Sequence, residues 1–181
     1  MDELQVANRF TVNIALIGIF SALWVALNLT VAPIGFALTG LPVIHSVIIF
    51  FVLLLVAWAT GKFGAASLVA IIGSAIVLFA GGPLPVLGFV PAAIIFDIVL
   101  LAIRHTVNLK LFNVGIAVLA SVVCAYVAAV VNGFFILGLS PLFTLTIWAG
   151  WVILGGVIGI ILALPIIGVL ERAQVKKVQA S

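Results

Sequence analysis

The sequence predicts an all-α polytopic membrane protein whose six transmembrane helices form a single bundle. Of its 181 residues, 67% are hydrophobic and 6% are charged, and the mean hydropathy is +1.58. A soluble domain carries about 25% charged residues, so this chain cannot cover a surface that faces water. Its apolar runs are about 20 residues long, and lipid accepts only helices or closed barrels. Because the runs are continuous rather than alternating, we expect helices.

Glycine, proline, polar and charged residues divide the chain into six spans within one domain, residues 1–181. The spans are approximately 10–31, 42–60, 64–80, 84–103, 111–139 and 141–170. We interpret the longest break, 32–41, as an external loop that either folds over a pocket or simply joins two helices. Spans five and six are longer than one crossing needs. We therefore expect tilt or an interruption there, for which Gly155, Gly156 and Pro165 provide sites.

The seven basic residues predict the orientation of the spans. Lys and Arg near span ends are retained on the cytoplasmic side of the membrane during insertion. With a cytoplasmic N-terminus, all seven fall in the two terminal tails and the second and fourth loops: Arg9, Lys62, Arg104, Lys110, Arg172, Lys176 and Lys177. We therefore expect both termini in the cytoplasm. The formal net charge of +3 reports this topology and gives no support for nucleic-acid binding.

The motifs of common enzyme classes do not occur in the sequence. It has no GxxxxGK[ST] loop, no HExxH, no GxSxG and no cluster of cysteine and histidine. Its single cysteine, Cys124, excludes an intramolecular disulfide. We therefore predict a protein that is not an enzyme and that uses no metal or cofactor.

Small residues recur every four positions along the first span, at Gly18, Ala22, Ala26 and Thr30. Residues at this spacing share one face of a helix, and small side chains let a second helix approach closely. Two interpretations stay open. The face either packs inside the six-helix bundle or docks a separate membrane protein.

Polar and aromatic residues gather toward the external ends of spans five and six. They lie above smaller residues on the same helical arcs, Ser121, Ala125 and Ala128 in span five and Gly155 in span six. We predict a mostly apolar cup, open to the outside, with a few placed polar groups. The predicted ligand contacts are Asn28, His45, Asn132, Thr144, Trp148 and Trp151. Structural explanations stay open: an aromatic belt for the tryptophans, a helix–helix hydrogen bond for Asn132, and an interfacial position for His45.

Asp97 is the only acidic residue inside a predicted span. An ionisable side chain in the membrane is costly and is a functional candidate by default. Arg104 lies seven residues further along and therefore on the same helical face. Asp97 either forms a structural ion pair with Arg104 or Arg9, or acts as a proton or coupling site.

These features resemble the substrate-binding S component of energy-coupling factor (ECF) transporters, the vitamin and micronutrient importers of prokaryotes. The resemblance rests on the size, on six spans with both termini inside, and on the first-span segment 15–28. Within that segment, Ala22-Leu23-Trp24-Val25-Ala26 is similar to the AxxxA motif of the family. Gly81-Gly82-Pro83-Leu84 followed by Phe96-Asp97 is also similar to some members.

The resemblance implies a role in uptake across the prokaryotic cytoplasmic membrane. An S component binds a small vitamin-like molecule on its external side, where spans four to six and the first external loop form the pocket. It docks through the first span, here Gly18, Ala22 and Ala26, onto a scaffold transmembrane subunit that carries two ATPase subunits. The outer half of this chain has no charged residue, which favours a neutral heteroaromatic ligand.

Two other functions stay open from the sequence. A stand-alone secondary transporter needs paired ionisable groups or broken helices near the middle of the membrane, and only Asp97 qualifies. A membrane assembly protein similar to the cell-shape protein MreD, which is said to share this fold, would need no ligand pocket.

Overall fold

The computed structural model describes residues 3–105, 107 and 109–173, with side chains from residue 11 onward. The described residues form helices and turns and contain no β-strand. The α-helices are α1 (Glu3–Thr39), α2 (Val43–Thr60), α3 (Ala65–Phe79), α4 (Phe89–Leu100), α5 (Leu111–Val130), α6 (Pro141–Phe143) and α7 (Ala149–Arg172). Two 3₁₀ segments, Leu84–Gly88 and Leu101–Ile103, flank α4, and two π-helical segments, Val131–Ile136 and Thr144–Trp148, follow α5 and α6.

Five helical stretches of the described chain are long and apolar enough to cross a membrane. They are Thr11–Thr39, Val43–Thr60, Leu84–Ile103, Leu111–Ile136 and Pro141–Arg172. The third predicted span is also an apolar helix, α3, but its 15 residues fall short of the length that a crossing helix needs. The prediction of an all-helical membrane protein is thus confirmed. The two Lys at positions 176 and 177 lie outside the described residues.

The predicted first external loop is largely helical. α1 continues through Pro33 to Thr39, and the connection to α2 is only residues 40–42. Proline removes one backbone hydrogen bond, yet transmembrane helices tolerate it where neighbouring groups compensate. Two contacts stabilise the part of α1 that follows Pro33. Thr39 donates its hydroxyl to the carbonyl of Gly35 (2.8 Å), and Gly35 lies directly against Ile44 of α2.

The irregular geometry in the last two spans also differs from the prediction. α7 continues without a break through Gly155, Gly156 and Pro165. The helical pattern changes instead at the two π-helical segments. Gly155 and Gly159 are needed for packing, because a Cβ atom at either position would overlap the backbone carbonyls of α2 at Val43 and Val47. This GxxxG spacing allows close helix contact and was missed in the sequence.

α2 forms the centre of the bundle, with most of its residues buried. It packs chiefly against α1 and α7. Three phenylalanines connect it to α4: the ring centroid of Phe50 lies 6.3 Å from that of Phe89 and 6.2 Å from that of Phe96. Such edge-on pairs fix the relative positions of the helices beyond simple burial. A rigid aromatic core therefore lies below the start of α2, where the candidate site begins.

Candidate functional site

A cavity of about 550 Å³ lies at the end of the bundle where α1 ends and α2 begins. Five segments of the chain wall it: Ala32, Pro33, Phe36 and Ala37 from α1; Pro42 and His45 from the start of α2; Gly81, Pro83 and Pro85 from the α3–α4 connection; Leu137; and Trp148. Its volume is within the range of small-molecule sites, which are mostly apolar with few polar groups. Four of the seven prolines of the chain line it, and their fixed φ angles stiffen its walls.

Contacts bring four of the predicted ligand residues to this end of the bundle. His45 and Trp148 line the cavity, and the His45 ring lies 5.0 Å from that of Phe89. Gly88, the residue before Phe89, lies against the side-chain amide of Asn132, so closely that a Cβ atom at Gly88 would overlap this amide. In the same way, Gly133 lies against the side chain of Thr144. The two glycines thus let neighbouring helices hold these polar side chains.

Asn28 reaches the same level from α1. It is buried, and it lies one helical turn before Ala32, which lines the cavity. Its side-chain amide donates a hydrogen bond to the carbonyl of Trp24 at 2.8 Å. Of the six predicted ligand residues, His45 and Trp148 thus line the cavity, while Asn28, Asn132 and Thr144 lie at the same end of the bundle without lining it.

Each of these five residues has a buried polar atom that finds no hydrogen-bond partner in the described part of the chain. The atoms are Oδ1 of Asn28, Nε2 of His45, Oδ1 of Asn132, Oγ1 of Thr144 and Nε1 of Trp148. A polar atom buried without a partner costs about 1–3 kcal/mol, and such atoms need a specific explanation. Buried atoms away from the cavity also lack a partner among the described residues, on Asn13, Ser21, Trp24, Asp97 and His105. The candidates for ligand contact are therefore His45 and Trp148, which line the cavity.

The buried hydroxyl of Thr144 lacks the hydrogen bond that other threonines of the bundle make. A threonine in a helix ordinarily donates its hydroxyl to the carbonyl four residues earlier. Thr30, Thr39, Thr60 and Thr146 all do so, at 2.6–2.8 Å. Thr144 is fully buried, yet its hydroxyl makes no such bond. Its side chain faces Gly133 instead.

The two π-helical segments coincide with this part of the molecule. Val131–Ile136 carries Asn132, and Thr144–Trp148 carries both Thr144 and Trp148. Short π-helical turns within α-helices occur often at functional sites, because the extra residue re-aims the side chains around it. The irregular geometry of both helices thus falls at the residues with unpartnered atoms.

Trp151 and the deeper small residues do not belong to the site. Trp151 is 36% exposed on the outside of the bundle and does not line the cavity. A Cβ atom at Gly156 would lie 3.2 Å from that of Ala125, so the two helices are closely packed at this depth. Ser121 donates its hydroxyl to the carbonyl of Val118 at 2.8 Å. The predicted base of the cup is therefore a packed helix contact.

Most walls of the cavity come from residues that were not predicted as ligand contacts: Ala32, Pro33, Phe36, Ala37, Pro42, Gly81, Pro83, Pro85 and Leu137. One of the two open interpretations of 32–41 was a loop folded over a pocket, and this segment does line the cavity, as part of helix α1 rather than as a loop. Gly81 and Pro83 were interpreted only as a helix break. Their signal was the group of prolines and glycines at the predicted ends of the spans.

The small-residue face of α1 lies on the outside of the bundle. All four of its residues are exposed: Gly18, Ala22, Ala26 and Thr30. A Cβ atom added at Gly18 would have no atom of another helix within 4 Å. α1 turns the opposite side inward, where Ser21, Trp24 and Asn28 are buried and Trp24 packs on Gly73. At 3.6 residues per turn, the two faces are roughly 150° apart. Packing inside this bundle therefore does not explain the small residues.

Asp97 lies toward the other end of the bundle and binds the start of α3. One carboxylate oxygen, Oδ2, accepts hydrogen bonds from the backbone N–H of Ser67 (2.8 Å) and from its hydroxyl (2.5 Å). Ser67 is the third residue of α3, so the carboxylate takes the place of an N-cap and faces the positive end of the helix dipole.

The expected pair of Asp97 with Arg104 is replaced by this contact. The helix ends at Ile103, and Arg104 adopts a left-handed conformation (φ 49°) with an exposed side chain. The seven-residue helical spacing that predicted the pair therefore does not apply. The side chain of Arg9 lies outside the described residues.

His105 follows in the same turn and is buried beside Phe63, with ring centroids 5.8 Å apart. Burial lowers the pKa of His105, and the nearby Asp97 carboxylate partly opposes that shift. We therefore expect the imidazole to be neutral at pH 7. Within residues 3–105, 107 and 109–173, no group of three His, Cys, Asp or Glu side chains could hold a metal ion.

An all-helical bundle with five helices of membrane length and a cavity at one end defines the class of this protein: a helical membrane protein with a candidate small-molecule site. No protein-family model, curated protein or solved structure matches the chain. The two features that bear on function are the cavity and the outer face of α1.

Proposed function

We propose that this chain is the substrate-binding S component of an ECF-type importer in the cytoplasmic membrane of a prokaryote. In this proposal α3 completes a set of six spans with both termini in the cytoplasm, and the cavity opens to the outside. It captures a small, neutral, vitamin-like ring compound. A separate scaffold subunit and two ATPase subunits complete the importer, which explains why this chain has no ATP site of its own.

The observation that carries the proposal is the cavity, whose walls are mostly apolar and include two polar side chains, those of His45 and Trp148. This combination is typical of small-molecule sites, whereas a protein that only packs or assembles in lipid needs no such cavity. Among the described residues no acidic, lysine or arginine side chain lines it, so a neutral ligand fits it best.

The outer face of α1 supports the docking part of the proposal. Small residues at Gly18, Ala22 and Ala26 are exposed and apolar, and the described part of the chain leaves them uncovered. A second transmembrane helix could approach this face closely, as small residues at four-residue spacing allow. This is the face that the resemblance assigns to the scaffold subunit.

Native mass spectrometry of the detergent-purified protein tests the binding role. We expect a co-purified small molecule, or one captured from a panel of vitamins, and at least about tenfold weaker retention in Trp148→Ala. Trp151→Ala is the matched control, because this tryptophan lies outside the cavity. A protein that is empty and ignores the panel would contradict the proposal and favour the assembly role.

Co-purification with the scaffold subunit tests the docking role. Ala22→Leu and Ala26→Leu add bulk to an exposed face, so we expect a folded monomer that no longer retains the scaffold. Ala102→Leu, at another exposed alanine, is the control and should retain it. Normal retention by both α1 variants would show that docking occurs elsewhere.

A further inference from the structure

Helix α3 is too short to cross the full hydrocarbon core of a membrane, and its length fixes the depth of the turn that follows it. Its 15 residues extend about 22 Å at 1.5 Å per residue, whereas the core is about 30 Å thick. α3 begins three residues after Lys62, at the end of the bundle that carries the basic residues. The turn after α3, residues 80–83, therefore lies inside the membrane, below the far edge of the core.

The part of α1 that lines the cavity lies at a similar depth. Gly35 packs directly against Ile44, the second residue of α2. The 18 residues of α2 extend about 27 Å, and Lys62 follows the end of this helix by two residues. Pro33 and Ala37 line the cavity and lie two residues before and after Gly35, within about 3 Å of its level. Both α1 and the turn 80–83 therefore border the cavity within the thickness of the hydrocarbon core.

The turn 80–83 bonds its backbone N–H groups internally, as a turn inside the membrane must do. The N–H groups of Ala80, Gly81 and Gly82 donate to carbonyls at the end of α3, at 2.8–3.0 Å. Pro83 has no N–H group. Gly81 allows this arrangement because it adopts a left-handed conformation (φ 79°), which costs glycine little. The turn thus needs no water for its donors.

Exposed apolar side chains flank the cavity between α1 and the turn. The two segments touch at a deeper level, where a Cβ atom at Gly82 would lie 3.1 Å from Cδ2 of Leu29. Nearer the cavity, Ile34 of α1 and Leu84 after the turn are each 60% exposed, and both are chain neighbours of residues that line it. The segments that form this end of the bundle contribute no charge, because the sequence has none in 10–61, 63–96 and 111–170. Such a surface is suited to lipid rather than to water.

We infer that the cavity opens sideways into the lipid leaflet opposite the basic end of the bundle, between α1 and the turn 80–83. Its ligand is an uncharged, lipophilic ring compound that enters from this leaflet rather than from water. This inference rests on the proposed binding function and specifies the class and the route of its substrate. Mostly apolar walls suit such a molecule, and His45 and Trp148 provide the two polar side chains among them.

Spin-label accessibility of the full-length protein in lipid nanodiscs tests where the opening lies. Nitroxides are attached to Ile34→Cys and Leu84→Cys in a Cys124→Ala background. Power saturation then compares their collisions with oxygen, which dissolves in lipid, and with a nickel chelate, which stays in water. We expect both labels to favour oxygen severalfold more than a label at Lys110→Cys, at the basic end. They should match a label at Ile72→Cys, on the exposed face in the middle of α3.

A pair of ring compounds tests the class of ligand. 2-Naphthol is uncharged at pH 7 and dissolves in lipid, whereas naphthalene-2-sulfonate carries a fixed charge on the same ring system. A sulfonate in the cavity would be buried without a counter-charge. We therefore expect 2-naphthol to bind at least about tenfold tighter by calorimetry in nanodiscs, with empty nanodiscs as the reference.

A variant at the opening tests the route. Ala37→Phe places a larger side chain at the edge of the cavity and should slow the binding of 2-naphthol severalfold, followed by its fluorescence after rapid mixing. Ala75→Phe is the matched control, at an exposed alanine of α3 that does not line the cavity, and should leave the rate unchanged.

The outcomes separate this inference from the function on which it rests. Labels at Ile34→Cys and Leu84→Cys that meet the nickel chelate as often as the label at Lys110→Cys would place the opening in water. That result, tighter binding of the sulfonate, or an unchanged rate in Ala37→Phe would overturn the lipid route and leave a binding subunit. Binding of neither compound, together with an empty native mass spectrum, would overturn the proposed function itself.

Discussion

Two buried polar regions at different levels of the bundle differ in what lies beside them. Near the start of α3, one oxygen of Asp97 accepts two hydrogen bonds from Ser67, and the nearby Trp58 indole of α2 donates to Glu171 of α7 at 3.2 Å. The second Asp97 oxygen and both nitrogens of His105 find no partner among the described residues. At the other end of the bundle polar atoms also lack partners, but there a cavity lies beside them, lined by His45 and Trp148.

The cavity separates the two regions better than charge does. A charge in the membrane is costly, so the sequence makes Asp97 the first functional candidate. Its contacts through Oδ2 instead describe a helix cap supplied by a neighbouring helix. His45 and Trp148 line a cavity of small-molecule size, so the space between the helices, rather than an ionisable residue, marks the candidate site.

Removing the carboxylate of Asp97 should have the largest effect on stability. In Asp97→Ala the backbone N–H and hydroxyl of Ser67 lose their acceptor, so we expect a loss of about 2 kcal/mol in thermal unfolding in detergent. Asp97→Asn keeps one acceptor oxygen and should lose about half as much. Ligand binding, measured on the folded fraction, should be unchanged in both variants. If binding is lost while stability is retained, Asp97 has a coupling role after all.

The helical fold and most span boundaries could be predicted because hydropathy and length alone decide them. The start of α2 was predicted at Pro42 and lies at Val43, and α5 begins at Leu111 as expected. The prediction of a loop at 32–41 was wrong for a physical reason. Proline was taken as a helix end, but helix α1 is supported beyond Pro33 by the contact of Gly35 with Ile44.

The walls of the cavity were harder to predict than its polar residues. Polar side chains stand out in apolar spans, so His45, Asn132 and Thr144 could be proposed as ligand contacts, a role that stays a prediction. Of the three, only His45 lines the cavity. Phe36 and Pro85 could not be identified, since apolar residues at span ends are common and only the fold brings these two together. Trp151 was misplaced for a related reason. The π-helical turn before it changes the helical phase on which the predicted arc depended.

A pair of threonines provides the finest test of the comparison. Thr60 and Thr144 are both fully buried, but only the hydroxyl of Thr60 has a partner, the carbonyl of Val56 at 2.8 Å. Thr60→Val should therefore cost about 1 kcal/mol of unfolding free energy in the ligand-free protein. Thr144→Val removes an unpartnered hydroxyl and should be neutral or stabilising by up to about 1 kcal/mol.

The measurement is thermal unfolding of both variants in the same detergent, without ligand and then with it. Saturating ligand should reverse the order at position 144, because the wild-type hydroxyl then gains a partner and ligand binding stabilises the folded state. Equal losses for the two variants without ligand would mean that Thr144 is satisfied within the fold. In that case Thr144 would have a structural role like that of Thr60 and would no longer be a candidate ligand contact.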